Sequence, residues 1–271
     1  MAAPVPALPL SLPQRDRLAI LAGLGGATAL AWVYLVVLAA GMDAMPLPHE
    51  TAHEMANEML RVRAWTPTEF ALMFLMWAVM MVGMMVPSAA PTVLIYAAVA
   101  RKALREGTPV APTAVFVSGY VAMWTVFSLG ATLAQLALDR AALLSPMMVA
   151  TSPALGGALL VAAGVYQLTP FKESCLRHCR APAAFIAKHW RPGTAGAWRM
   201  GVEHGAYCLG CCWILMGLLF LGGVMNLLWI AAITVFVLLE KVLPLGAAGG
   251  RIAGAAMIAV GGIALLQGAE W

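Results

Sequence analysis

The chain alternates long apolar runs with short polar segments. No Asp, Glu, Lys or Arg occurs between Arg17 and Asp43, Glu69 and Arg101, Glu106 and Asp139, Arg140 and Lys172, Glu203 and Glu240, or Arg251 and Glu270. A helix needs about 20 apolar residues to cross roughly 30 Å of hydrocarbon. A bilayer admits only helices or closed barrels, because backbone polar groups must be satisfied internally. Long uninterrupted runs, unlike short alternating ones, read as helical. The pattern predicts an all-α polytopic integral membrane helical bundle of about seven transmembrane helices, at 18–41, 69–87, 113–137, 151–169, 203–222, 226–243 and 247–267. Residues 1–17 read as a disordered cytoplasmic N-terminus, and 18–271 as a single transmembrane helical domain. The first run is about twice the length of a signal-peptide core, which favours a retained anchor.

Composition agrees: 62% of the residues are hydrophobic and 10% charged, well outside the range of soluble domains. The net charge of +4 has a topological explanation and does not point to nucleic acid. With the N-terminus inside, Arg61, Arg63 and Arg140 fall outside, and the other 13 of the 16 basic residues fall inside. That asymmetry follows the positive-inside rule and places the C-terminus outside. All five cysteines then lie at the inner side. A reducing compartment disfavours structural disulfides and favours metal or redox chemistry.

The fifth run carries the candidate chemistry. His204, Cys208 and Cys212 recur at i,i+4, continued by Met200 and Met216 and flanked by Cys211; one helix face would carry them all. Residues 204 and 212 would stand about 12 Å apart along a helix, whereas metal–ligand bonds are roughly 2.0–2.3 Å. One ion cannot draw on both ends of an unbroken helix. Two ligands one turn apart share an ion with other segments, or the row holds several ions, or "CLGCC" unwinds at Gly210 so that its sulfurs converge.

Further donors are at hand. In the second run Met73, Met76, Met80 and Met84 form a stripe, with Met81 and Met85 on the adjoining one. Met80, Met81, Met84 and Met85 sit at the depth expected for Cys208 and Cys212. Pro87 and Pro91 are expected to kink or end this helix. In the inner segment at about 170–200, "CLRHC" puts Cys175 and Cys179 one turn apart, approaching from below. Thiols, thioethers and one imidazole make a soft set that favours Cu(I); zinc is the alternative, since Cys and His alone satisfy it. The competing structural reading is that methionine is an adaptable core residue. In the outer loop, His49, His53, Met42, Met45, Met55 and Met59 form either a second donor set or the face of an interfacial helix.

Four polar features carry structural expectations. Gln135 should hydrogen-bond a neighbouring helix, and Gly250 and Gly254 have the small-xxx-small spacing of a helix contact. Lys241 should snorkel to the interface while neutralising Glu240. Glu203 adjoins His204 and is a candidate to orient it.

The segments "MWAVMMVGMMVPS", "GVYQLTPFKESCLRHCR", "HWRPG", "GVEHGAYCLGCCWILM", "GVMNLLWI" and "EKVLP", in that order, resemble an uncharacterised bacterial family of predicted metal-binding integral membrane proteins. The resemblance covers roughly residues 65–265. It implies a metal site carried on Cys175, Cys179, His204, Cys208, Cys211 and Cys212, and a place in the bacterial inner membrane.

The leading functional expectation is a membrane protein that binds, delivers or transports Cu(I), with the lipid bilayer around it. Its partner would be a copper-accepting protein or a metalloenzyme under assembly. No G-x-x-x-x-G-K-[ST] nucleotide motif occurs. The alternative is a membrane thiol–disulfide oxidoreductase using the Cys208–Cys211 C-x-x-C pair.

Overall fold

A computed structural model describes residues 12–43, 65–145, 148–243 and 246–268. The described residues form helices α1 (Gln14–Asp43), α2 (Pro67–Arg105), α3 (Thr113–Arg140), α4 (Pro153–Gln167), α5 (Pro170–Arg180), α6 (Pro182–His189), α7 (Gly193–Gly217), α8 (Leu219–Gly222), α9 (Leu227–Val242) and α10 (Gly246–Gly268). The all-helical expectation holds. Among the described residues, five helices are long and apolar enough to cross a membrane, or six if α4 and α5, bent by 65°, count as one broken span. Sequence reading expects seven. The difference lies at 226–243, where α9 is only 16 residues long, and at 151–169 unless the 15-residue α4 is counted together with α5.

Local chemistry explains the boundaries. α2 opens on a capping box: Glu69 N–H donates to Thr66 Oγ1, and Thr66 N–H donates to Glu69 Oε2 at 2.8 Å. The α4–α5 bend falls just before Pro170, where Thr169 caps α5 by accepting the Lys172 N–H. The Cys-containing segment is thus helical, and α7 begins at Gly193, ten residues before the expected span.

α2 also corrects the expectation that Pro87 or Pro91 ends it, since 39 residues run continuously as helix. Pro87 lacks an N–H for the carbonyl four residues earlier. That carbonyl, on Gly83, accepts Trp32 Nε1–H from α1 at 3.3 Å. A neighbouring helix thus supplies the donor that proline removes.

Helix pairing is close where glycines permit it. A Cβ on Gly119 would run into the Trp198 backbone, and one on Gly201 into Phe116 O, so α3 and α7 approach backbone to backbone. Gly164 and Gly254 bring α4 and α10 together in the same way, as the spacing at Gly250 and Gly254 predicts. α5 packs on α7, and α1 on α2. The interior holds Met76, Met80, Met81, Met84, Met85, Met200 and Met216, none more than 1% exposed. The outward faces of the long helices are themselves apolar, with Leu30, Val37, Leu72, Val126, Leu133, Ile252 and Leu266 all exposed.

Candidate metal-binding site

The i,i+4 row of α7 is its buried face. Met200, His204, Cys208, Cys212 and Met216 are all at most 2% exposed, as is Cys211. α7 does not unwind at Gly210; it runs unbroken from Gly193 to Gly217. The sulfurs gather by another route. Cys211 and Cys212 both donate Sγ–H to Cys208 O, at 3.0 and 2.9 Å. The three thiols therefore turn toward one point without breaking the helix.

α5 delivers a fourth. Its packing on α7 sets the half-buried Cys179 against the core beside Cys208 and Cys211. Cys175, one turn earlier, lies beside the cluster rather than in it: its Sγ fills the space where Gly210 has no Cβ. Gly210 is therefore a contact point for α5, and its carbonyl accepts Tyr166 O–H. All five cysteines are free thiols.

Three residues from other helices close around Cys208. Lys241 Nζ, on α9, donates to Cys208 Sγ at 2.9 Å and to Ser88 Oγ at 3.0 Å. Tyr120, on α3, places its hydroxyl 3.0 Å from Cys208 Sγ and donates to Met85 O at 3.0 Å. Ser88 donates to the same Met85 carbonyl. Cys208 is thus tied to α2, α3 and α9 at once. Met80, Met81, Met84 and Met85 are buried in the same core, and Met85 is joined to the thiols through Tyr120.

His204 sits one turn from Cys208, in an aromatic cage. Its ring centroid lies 5.1 Å from Phe185, 5.7 Å from Tyr120 and 6.2 Å from Phe116. Its Nδ1 is buried without a hydrogen-bond partner among the described residues. A buried ring nitrogen left unpaired is costly unless it finds a partner, and a metal ion is one such partner.

Two sequence expectations are corrected here. Glu203 does not orient His204; it accepts Arg191 at 2.6 Å and pairs with Arg199 at 3.4 Å. Lys241 does not snorkel outward or neutralise Glu240. It turns inward to Cys208, while Glu240 pairs with Lys172 at 2.7 Å, both side chains buried. Gln167 completes that second site by accepting from Lys172 and donating to Glu240. Gln135 does bond a neighbouring helix, through Trp77 Nε1–H at 2.7 Å.

Tyr120, Ser88 and Lys172 escaped sequence reasoning. Each is a single polar position whose partner is set by helix packing, and only their place in or beside apolar runs marked them. The outer-loop donors His49, His53, Met45, Met55 and Met59 lie outside the described residues, as does the Met42 side chain.

Among the described residues, no group of three or more His, Cys, Asp or Glu is disposed as a ready-made cation site. The hydrogen bonds give a reason. Cys211 and Cys212 are spent on the Cys208 carbonyl, and Lys241 stands on the Cys208 sulfur. The donor set itself is soft, four thiols with an unpaired imidazole nearby.

No curated protein matches the chain, and no solved structure does. One family model matches residues 74–264, from the second turn of α2 to near the end of α10, and is described as PpoB2, copper chaperone. All ten residues read from sequence as candidate ligands fall inside that match, and the chain belongs to the PpoB2 copper chaperone family.

Proposed function

We propose that the protein is an intramembrane carrier that takes Cu(I) as cargo on the Cys179, Cys208, Cys211 and Cys212 thiols and passes it to a copper-accepting protein or a metalloenzyme under assembly. The observation that carries this reading is the approach of half-buried Cys179 on α5 to the three buried α7 thiols. Thiolates and thioethers are soft ligands that suit Cu(I) as well as zinc, and membership of the copper chaperone family favours copper between them. His204 supplies a fifth donor one turn away, Cys175 a reserve thiol, and Met80, Met81, Met84 and Met85 a buried thioether lining. The apolar outer faces fit a bacterial inner membrane, with the N-terminus cytoplasmic and the C-terminus periplasmic.

The second reading is a thiol–disulfide oxidoreductase that cycles the Cys208–Cys211 C-x-x-C pair, with Cys175 and Cys179 on α5 as resolving thiols. Elemental mass spectrometry of the detergent-purified protein, with a parallel count of free thiols, separates them. The carrier reading expects about one copper per chain with the thiols shielded from alkylation. Zinc in place of copper assigns the site to the other soft-site metal. No metal, with Cys208 and Cys211 oxidised, overturns the carrier reading in favour of thiol redox chemistry.

A further inference from the structure

A second group of sulfurs stands near the other end of α2, away from the thiols. Met73 Sδ and Met148 Sδ lie 3.7 and 3.0 Å from one nitrogen, Gln135 Nε2. Gln135 is buried, whereas both methionines are half-buried, so the sulfurs form a rim between the surface and the interior. Trp77 Nε1–H meets Gln135 Oε1 at 2.7 Å. An indole N–H only donates, so the atom facing it is the amide oxygen. The amide NH2 is thereby turned onto the two thioethers, which are weak acceptors. A buried amide donor held on weak acceptors is a poorly paired group.

The backbone at Met148 adds an independent observation. Its φ is 56°, in the left-handed region, which side chains other than glycine rarely adopt. The turn is held there by Met148 N–H to Ser145 O and by Ser145 N–H to Val149 O, each at 2.8 Å. It is anchored beyond by Ala150 N–H to Phe220 O at 2.8 Å. Phe220 in turn packs on Trp77, with ring centroids 5.5 Å apart. The tryptophan that fixes the amide thus also braces the turn that presents Met148. A strained backbone held by its surroundings is a feature of binding sites.

We infer that Met73 and Met148 form an entry site for a soft monovalent cation, with Gln135 Nε2 as the place-holder that the ion displaces. The inference rests on the copper reading above. Thioether sulfur is neutral and needs no deprotonation, so it binds Cu(I) or Ag(I) and offers little to harder ions. Withdrawal of one amide nitrogen frees both sulfurs. From there Met76, Met80 and Met84 continue as a buried stripe. Met85, whose carbonyl meets Tyr120, is about 18 Å along α2 from Met73 at 1.5 Å per residue. The stripe runs from the entry site toward the point on α2 where the Met85 carbonyl meets Tyr120, the neighbour of Cys208.

The test uses the full chain in detergent, labelled with 13C-methyl methionine and titrated with Ag(I), an ion of the same charge and softness as Cu(I). The Met73 and Met148 methyl signals, assigned from Met73→Leu and Met148→Leu, are expected to shift together with one midpoint. Met73→Leu, a volume-conserving change, should abolish the Met148 shift. Silver retained by the protein while both methyl signals stay fixed overturns the entry site and leaves the carrier reading standing. The two signals shifting with different midpoints also overturns it. A wild-type chain that retains neither silver nor copper overturns both.

Discussion

Lys241 Nζ stands 2.9 Å from Cys208 Sγ, so a buried ammonium occupies the sulfur that lies at the centre of the thiol cluster. An incoming Cu(I) and this ammonium carry the same sign of charge and seek the same lone pairs. At about 4 Å and an effective dielectric of about 20, two unit charges interact by roughly 4 kcal/mol. Even a third of that suffices for about a tenfold change in binding. Lys241→Met should therefore hold copper longer than the wild type. Transfer of bound Cu(I) to a chromogenic chelator, followed in a stopped-flow instrument, is expected to slow by about tenfold. An unchanged rate would mean that Lys241 plays no part in release.

The cysteines should not contribute equally. Cys208 touches Lys241 and Tyr120, both of its neighbouring thiols point to its carbonyl, and Cys179 packs against the same core. Cys175 instead fills the gap over Gly210. Replacing sulfur by oxygen removes a soft ligand while keeping the size nearly constant. Cys208→Ser and Cys179→Ser should each lower bound copper severely, whereas Cys175→Ser should retain most of it. Copper-to-protein ratios after gel filtration check this. A ranking with Cys175 ahead of Cys179 would place the site one turn earlier along α5, beside Gly210.

Much of this site is legible in the sequence because helical periodicity is local. Successive members of the row from Met200 to Met216 lie within about 40° of each other around the helix, so burying one favours burying the next, and the structure buries them all. Cys179 is legible in part: its i,i+4 relation to Cys175 is visible, but which of the two enters the cluster depends on how α5 leans on α7. Lys241 was misjudged for a physical reason. A lysine near a helix end ordinarily reaches for water, and only the packing of α9 against α2 shows that Ser88 and Cys208 are nearer partners. The seventh span is not matched among the described residues, because hydropathy along the sequence does not register that α9 has only 16 residues.

The Lys172–Glu240 pair makes a prediction about stability. Both side chains are buried, at 3% and 5% exposure, and Gln167 bonds to each. Removing one partner strands a charge in the interior, which typically costs about 3–5 kcal/mol, while replacing both with apolar residues is often neutral. Glu240→Gln alone should lower the thermal midpoint in detergent substantially. Lys172→Met with Glu240→Leu should restore most of the loss. If the double variant were no better than the single one, the hydrogen bonds to Gln167, not the stranded charge, would dominate.

The Trp32–Gly83 contact gives a sharper test, because two substitutions should cancel. Gly83 O has no intrahelical donor while position 87 is proline, and Trp32 Nε1–H supplies one at 3.3 Å. Trp32→Phe should cost about 1–3 kcal/mol by leaving that carbonyl unpaired. Pro87→Ala returns an N–H to position 87 and lets the helix satisfy Gly83 itself. In that background Trp32→Phe should cost much less. A double-mutant cycle on chemical or thermal unfolding in detergent would report a coupling of about 0.5–3 kcal/mol. Strict additivity would show that the indole stabilises α2 by packing alone, and the continuity of the helix through Pro87 would then need a donor other than Trp32.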